Sequence, residues 1–217
     1  MRILATVVLA VTASASPAFA QSFELPRATI GVSVALASND ASSRMRLGQD
    51  TRRWILSGEF GARVGRRVGL GAEAIDFGTA TGETSGISFR SRGEQRERAI
   101  VGVLRARAIG RAGVALDVVG GAGALFQQHT AIESPRVSSQ LDPTVTFEYS
   151  HRAPLLVAGG DVPIRIGPHF SIAAITRYYS MRRGDNTPED PRTPIRWQFE
   201  HESSNRFSVG ASARVTW

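Results

Sequence analysis

The stretch RFSVGASARVTW, residues 206–217, alternates between two kinds of side chain. Apolar or small residues occupy the odd positions, namely Phe207, Val209, Ala211, Ala213, Val215 and Trp217. The positions between them are small or polar, namely Ser208, Gly210, Ser212, Arg214 and Thr216. Because successive side chains of an extended strand point to opposite faces, this period of two predicts a strand with one apolar face and one polar face.

Seven further segments show the same alternation. They are residues 28–37, 52–64, 67–74, 99–108, 114–126, 154–166 and 169–179. In each segment one parity is apolar or small, and most of the charged residues fall on the other parity. The chain is therefore predicted to be all-β, with eight antiparallel strands.

The connections between these segments are predicted to alternate between long and short, so that the short ones lie at one end of the strands and the long ones at the other. Tight turns lie near residues 65–67, 110–112 and 167–168, whereas long polar loops cover residues 38–51, 78–97, 127–153 and 181–194. An outer-membrane barrel has short turns on one side and longer loops on the other. We therefore predict an eight-stranded antiparallel transmembrane β-barrel. A soluble lipocalin-like barrel, with its apolar face inside, is the alternative that alternation alone leaves open.

The N-terminal residues are typical of a secretory signal peptide. A positive start is followed by an apolar core at residues 3–11 and by a small-x-small cleavage site at residues 18–20. A transmembrane helix would need about 20 predominantly apolar residues, and polar residues interrupt this stretch too early. We predict a signal peptide over residues 1–20, cleaved after Ala20, and one barrel domain over residues 21–217.

The composition limits the classes of structure and partner. The sequence contains no cysteine, so an exported domain must be held by packing and backbone pairing without disulfides. Its net charge of +7 would attract nucleic acid or anionic lipid. Because a signal peptide directs export, we expect no nucleic-acid partner.

Charged residues within the segments share the face opposite the apolar one. They are Glu59, Arg63, Glu73, Arg105, Arg107, Asp117, Asp161, Arg165, Arg177 and Arg214. An eight-stranded barrel has an interior just wide enough for side chains to fill it, and an unpaired buried charge is costly. We therefore predict that these residues form a structural charge cluster inside the barrel. A narrow ion-conducting path along them is the alternative.

Aromatic residues lie near the predicted ends of several strands. Those near the loop-side ends are Trp54, Phe126, Tyr178 and Phe207, and those near the turn-side ends are Phe170 and Trp217. Transmembrane barrels carry aromatic girdles at both membrane interfaces. We predict that these residues form two such girdles.

The chain resembles the small outer-membrane β-barrel domain family of the OmpA/OmpX type over nearly all of residues 28–217. The resemblance rests on the signal peptide, the eight segments and the aromatic-ended strand Phe207 to Trp217, although most members end on Phe. It implies a monomeric, non-enzymatic protein of the cell outer membrane that contacts outer-membrane lipids. It also implies that Phe207 to Trp217 is presented to the barrel-insertion machinery. The role would be structural in the envelope or would depend on surface contacts of the loops.

One pair of residues matches part of a hydrolase site. His201 and Ser203 have the spacing at which lipid A deacylases, also small outer-membrane barrels, place a base beside a nucleophile. No Asp or Glu follows Glu202, so the orienting acid is missing from its expected place. We predict no catalytic residue, with a lipid A modifying hydrolase as an alternative. The four histidines lack the spacing of a zinc site, and neither a metal nor another cofactor is expected.

Paired arginines lie close to the ends of two predicted strands. Arg52 and Arg53 begin the second segment, and Arg182 and Arg183 follow the seventh. Guanidinium groups bind phosphate in a bidentate manner. We predict that these four residues bind anionic lipopolysaccharide. The alternative is that an arginine-rich composition decorates any loop in this way.

Overall fold

A computed structural model describes residues 24–39, 52–85, 89–111, 113–135, 145–181 and 204–217. Its strands are β1 Ala28–Asn39, β2 Arg52–Gly65, β3 Val68–Ser85, β4 Phe89–Arg111, β5 Val114–Pro135, β6 Val145–Arg165, β7 Phe170–Met181 and β8 Ser204–Thr216. Each strand pairs antiparallel with the next, and β1 pairs with β8, so the sheet is a closed barrel. The predicted eight-stranded antiparallel barrel is confirmed. Within the described ranges, no helix is long and apolar enough to cross a membrane.

The barrel closes between its first and last strands. The ladder between β1 and β8 is continuous from Thr29 to Asn39. At the turn-side end, the amide of Ala28 donates to the carbonyl of Trp217 (2.9 Å). Closure pairs the backbone all the way around the barrel, which is the condition for β-structure within the hydrocarbon region of a membrane.

The outward face of the barrel is apolar. Exposed large hydrophobic side chains on β1, β2 and β8 include Ile30, Val32, Val34, Leu36, Trp54, Leu56, Phe60, Val209 and Val215. Soluble monomers rarely expose contiguous apolar surface of this kind, whereas lipid tails cover it in a transmembrane barrel. Charged side chains such as Asp161 and Arg214 are buried inside. The transmembrane barrel is therefore confirmed, and the lipocalin-like alternative is wrong because it requires the charged face in water.

The predicted girdle residues all lie on this outward face. Their side chains are exposed on the loop side for Trp54, Phe126, Tyr178 and Phe207, and on the turn side for Phe170 and Trp217. Tyr178 and Phe207 are direct cross-strand neighbours on β7 and β8. The placement of aromatic residues toward both ends of the apolar band is confirmed.

Four neighbouring strands are longer than predicted. β3 pairs with β4 as far as Ser85, and β5 pairs with β6 as far as Glu133. The loops predicted over residues 78–97 and 127–153 are therefore wrong, because most of these residues form strands that continue past the apolar band. The strands were predicted from the alternation of apolar side chains. Hydrogen bonding between neighbouring main chains does not require this alternation, so strands can continue where it ends. The loops predicted over residues 38–51 and 181–194 lie mostly outside the described residues.

A bulge in β3 lies where this longer sheet begins. The pairing of β3 with β4 shifts between Asp76 and Thr79. Gly78 has a φ of 77°, a left-handed conformation that residues with a Cβ rarely adopt. Its amide donates to Asp76 Oδ1 (2.8 Å). Phe77 fills the interior on the same parity as Glu73 and Ile75, and the bulge then moves the side-chain alternation by one residue, so Thr79 is exposed.

The interior of the barrel changes character along its length. Charged side chains collect toward the turns, and an apolar core lies toward the loops. This core includes Ile55, Ile75, Phe77, Val101, Leu125, Leu155, Val157, Ile175, Tyr179 and Met181. The charges were predicted to lie inside, but the apolar core on their loop side was not predicted. The loop-side half of the lumen is packed with side chains, since Phe77, Leu125 and Leu155 have no exposed surface.

Candidate functional site

Six of the ten predicted interior charges meet in one cluster. They are Glu59 of β2, Glu73 of β3, Arg105 of β4, Asp161 of β6, Arg177 of β7 and Arg214 of β8. Each residue lies on the inward parity of its strand, and strand register brings the six to one region of the lumen. We call these six residues the central cluster.

Two arginines bridge the same pair of carboxylates. Arg214 contacts Glu59 through Nε, and its Nη2 donates to Asp161 Oδ2 (2.5 Å). Arg105 Nη2 lies 2.7 Å from Glu59 Oε2 and 3.2 Å from Asp161 Oδ2. None of the strands that carry these four residues are neighbours in the barrel. The contacts therefore run across the lumen rather than along its wall.

Arg177 completes the central cluster from the other side. Its Nη1 contacts Asp161, and its Nη2 donates to Glu73 Oε1 (3.3 Å). β3 and β7 lie on opposite sides of the barrel, so this bridge also spans the interior. Asp161 contacts all three arginines and has no exposed surface. It is the common partner that joins the cluster.

The central cluster is electrically balanced, because three arginines face three carboxylates. Removing such ions from water costs on the order of several kcal/mol each, which only close pairing with good geometry offsets. Each carboxylate already contacts at least one guanidinium group. The chemistry that this arrangement favours is a filled, cross-braced lumen, since an ion passing through would have to displace existing pairs.

A glycine makes room for the pair between Glu59 and Arg214. Gly31 lies on the inward face of β1, directly between β8 and β2. A Cβ at this position would lie 2.8 Å from Glu59 Oε1 and 2.9 Å from Arg214 Cγ. Only a residue without a side chain leaves the two ions this close to the barrel wall.

Three of the remaining predicted interior charges lie nearer the turns. Arg107 and Asp117 form a bidentate pair (2.8 and 3.2 Å) on β4 and β5. Arg63 binds Glu24 (2.7 Å) instead of a member of the central cluster. These residues face inward and are paired, and they form a second group nearer the turns than the central cluster.

Arg165 does not belong to either group. Its side chain is exposed at the end of β6. There it donates to the carbonyls of Gly167 (2.9 Å) and Pro168 (2.6 Å) in the following turn. Its prediction as an interior residue is wrong because the strand ends there, so the turn carbonyls are closer than any carboxylate inside.

The residues before β1 fold into the turn-side mouth of the barrel. Leu25 is buried, and its amide donates to the carbonyl of Arg66 (2.8 Å). The carbonyl of Glu24 accepts from Arg107 Nη1 (2.7 Å). A cavity of about 490 Å³ lies beside them and extends to Glu59 and Arg105. Glu24 was not predicted as a site residue because it precedes the first alternating segment and belongs to no periodic pattern.

A further buried ion pair lies at the loop-side end of the apolar core, apart from the central cluster and from the pair of Arg107 and Asp117. Arg206 Nη1 lies 2.5 Å from Glu97 Oε2, and the guanidinium carbon of Arg206 is 5.2 Å from the centre of the Phe77 ring. Gln95 and Gln127 both donate to Glu97 Oε1 (2.7 Å each). This pair was not predicted. Glu97 lies in a range that was predicted to be a loop, and Arg206 precedes Phe207, the first apolar residue of the alternating stretch in β8.

Several residues of the predicted binding site and of the hydrolase alternative lie outside the part that the structure describes. His201, Ser203, Arg182 and Arg183 are among them. Arg52 and Arg53 begin β2, where their backbones pair with Ser38 and Ala37 of β1. The lipopolysaccharide site therefore remains a prediction, and the hydrolase pair remains an alternative. Among the described residues, no group of three metal-ligating side chains comes together.

Proteins similar to this chain are found among solved structures. No protein-family model matches the chain, and no curated protein matches it. Solved structures with similar folds include the attachment invasion locus protein Ail of Yersinia pestis, at 11% identity and a TM-score of 0.47, covering 87% of this chain and 98% of Ail. Neisserial surface protein A gives 11% identity, a TM-score of 0.47 and coverages of 88% and 97%.

A major outer membrane protein from Thermus thermophilus gives comparable values. Its identity is 11%, its TM-score is 0.47, and the match covers 86% of this chain and 98% of that chain. At these levels of identity and TM-score the similarities carry no argument about activity or partners. The fold of this chain rests on its own strand pairing.

Proposed function

We propose that this protein is a non-enzymatic, integral barrel of the outer membrane that acts as an envelope-structural or surface-contact protein. The observation that supports this proposal most directly is the filled lumen. The central cluster braces the interior toward the turns, and the apolar core packs it toward the loops. A lumen occupied in this way favours a structural barrel over a pore.

The proposed location combines two independent features. The outward apolar band requires a lipid environment, and the N-terminal residues are typical of an export signal. Closed barrels with short turns on one side are the β-architecture of outer membranes. The short turns of this chain follow β2, β4 and β6, which supports that placement.

Gel mobility and conductance test this proposal. The unheated protein in detergent is expected to migrate differently from the boiled protein, because a closed barrel stays compact. The folded protein in a planar bilayer is expected to give no large, steady single-channel current. Identical mobility before and after boiling would contradict the barrel in the membrane. Steady currents would favour the competing function, a narrow channel, for which the cavity beside Glu59 and Arg105 is the supporting observation.

The predicted arginine pairs give the surface-contact role a partner. We propose that Arg52, Arg53, Arg182 and Arg183 contact phosphate groups of lipopolysaccharide on the loop side. What supports this is their charge and their position in the sequence, beside the loop-side ends of β2 and β7. Such exposed contacts are screened over about 8 Å at physiological salt, so they should weaken as salt rises.

We also propose that Phe207 to Trp217 engages the barrel-insertion machinery. Deleting Trp217 is expected to leave export intact but to reduce assembly into the outer membrane. The physical basis is an exposed aromatic residue at the end of an alternating strand. Assembly is measured as the amount of heat-modifiable protein in outer-membrane fractions. The control is Trp217→Phe, which keeps an aromatic residue at this position. Normal assembly without Trp217 would remove this role.

A further inference from the structure

Three neighbouring strands change from apolar to charged at the same row of residues. Arg98 of β4 pairs with Phe126 of β5, and Phe126 pairs with Arg152 of β6. All three side chains are exposed on the outward face. Adjacent strands are about 4.8 Å apart, so the two arginines flank the Phe126 ring at backbone positions roughly 10 Å from each other.

The next outward-facing row adds a third arginine. Arg96, Gln128 and Ser150 follow one another across β4, β5 and β6. Together the two rows line a shallow groove of about 340 Å³. We call Arg96, Arg98, Phe126, Gln128, Ser150 and Arg152 the interface groove.

The interface groove carries an excess of positive charge. Asp76 is a carboxylate beside it, 3.8 Å from Arg96 Nη2 and 3.5 Å from Arg98 Nε. The guanidinium carbon of Arg152 lies 5.4 Å from the centre of the Phe126 ring. Arg96 and Arg98 therefore share this one carboxylate, whereas Arg152 contacts the Phe126 ring. The next outward-facing row toward the loops contains two acidic residues, Glu94 of β4 and Glu148 of β6. In the described parts of these strands they lie about 7 Å beyond the row of Arg96.

On the other side of the groove the surface is apolar. The row below Phe126 consists of Ile100, Ala124 and Pro154, and Leu156 follows on β6. Ile100 and Leu156 are each 60% exposed. An amphiphile with an anionic head and acyl chains matches this order, because its head would meet the guanidinium groups while its chains lie against the apolar band.

We propose that the interface groove binds a phosphate group of the lipid A headgroup, with the acyl chains lying along β4, β5 and β6. This site is distinct from the loop arginines and rests on the proposed location in the outer membrane. Arg98 and Arg152 bind the phosphate from either side of Phe126, and Arg96 closes over it. Guanidinium groups are suited to this because they donate to phosphate in pairs.

Native mass spectrometry of the folded protein tests the proposal. Diphosphoryl lipid A is titrated into detergent-solubilised wild type, R96Q/R98Q/R152Q and the control R66Q/R67Q/R165Q. The control removes an equal number of positive charges, three, from the turn side, where Arg66 and Arg165 are exposed. The groove variant is expected to bind about tenfold more weakly, the equivalent of one charge-assisted hydrogen bond lost. The control is expected to bind like the wild type.

Two further probes identify the ligand. Lipid A stripped of phosphate is expected to bind the wild type and the groove variant equally. Inorganic phosphate is expected not to compete with diphosphoryl lipid A at equal concentration. If inorganic phosphate competes fully, the groove is a simple anion site and the lipid proposal is wrong. The single variant R152Q removes a side chain that contacts Phe126 rather than Asp76. This variant is expected to bind diphosphoryl lipid A about threefold more weakly than the wild type. It replaces the triple variant if the triple variant does not fold.

The outcomes that overturn the inference are specific. Equal weakening by the groove variant and the turn-side control would mean that only net charge matters. Loss of binding confined to R52Q/R53Q/R182Q/R183Q would assign the ligand to the loop arginines instead. Failure of the proposed function would be seen separately, as wild-type protein without heat-modifiable mobility or with steady channel currents.

Discussion

Replacing Asp161 with asparagine is expected to lower the free energy of unfolding by about 3 kcal/mol or more, the range found when one partner of a buried ion pair is removed. Asp161 is fully buried and contacts Arg105, Arg177 and Arg214. Asparagine has nearly the same shape, so the change removes charge without creating a cavity. Three buried guanidinium groups would then share two carboxylates.

Urea unfolding of the barrel from phospholipid vesicles measures this effect. The matched control is Asp76→Asn, which makes the same chemical change at a partly exposed residue paired with Arg96 and Arg98. Exposed pairs contribute about 0–1 kcal/mol, so the control is expected to cost no more than that. Equal, small effects at Asp161 and Asp76 would show that the central cluster does not brace the barrel.

Replacing Val32 with arginine is expected to destabilise the barrel by about 2–4 kcal/mol, the cost measured for arginine near the bilayer midplane on the lipid face of a barrel. Val32 is 66% exposed on the outward face of β1. It is the middle one of the five alternate residues on this face from Ala28 to Leu36, all of which are apolar. In the folded protein this exposed surface contacts lipid tails. A charge there must be solvated by a defect in the bilayer or by bending toward an interface.

Leu36→Arg is the control on the same strand and the same face. Leu36 is exposed near the loop-side end of the apolar band, opposite Trp54 of β2. Close to the interface the cost of arginine falls to about 0–1 kcal/mol. Unfolding from vesicles is expected to show this dependence on depth. Two equal and small effects would mean that the outward face of β1 is in water, which contradicts the transmembrane barrel.

The sequence determined how the side chains of each strand divide between two faces. Alternation along the chain assigns Val32 and Gly31 to opposite faces of β1, and it does the same for Phe207 and Ser208 on β8. This property is local, because the period of two follows from the geometry of an extended backbone. The strand count, the two faces and the outward aromatic residues could therefore be predicted before any pairing was known.

The extent of the strands was not determined in this way. Residues 78–97 and 127–153 have no clear apolar parity, yet much of each range forms strands. Their pairing is sustained by backbone hydrogen bonds between neighbouring strands, and these do not depend on an apolar side-chain pattern. The three arginines of the interface groove lie on parts of β4 and β6 that alternation did not predict to be strands.

Only the tertiary structure decided which interior charges meet. Glu59 and Arg214 are 155 residues apart and form a contact, whereas Arg165 faces inward by parity but bonds to the turn beside it. Parity gives the face of a side chain but not its height in the barrel or its neighbours across the lumen. Those depend on closure and on the register of all eight strands, because a shift of register moves every inward side chain relative to its partners.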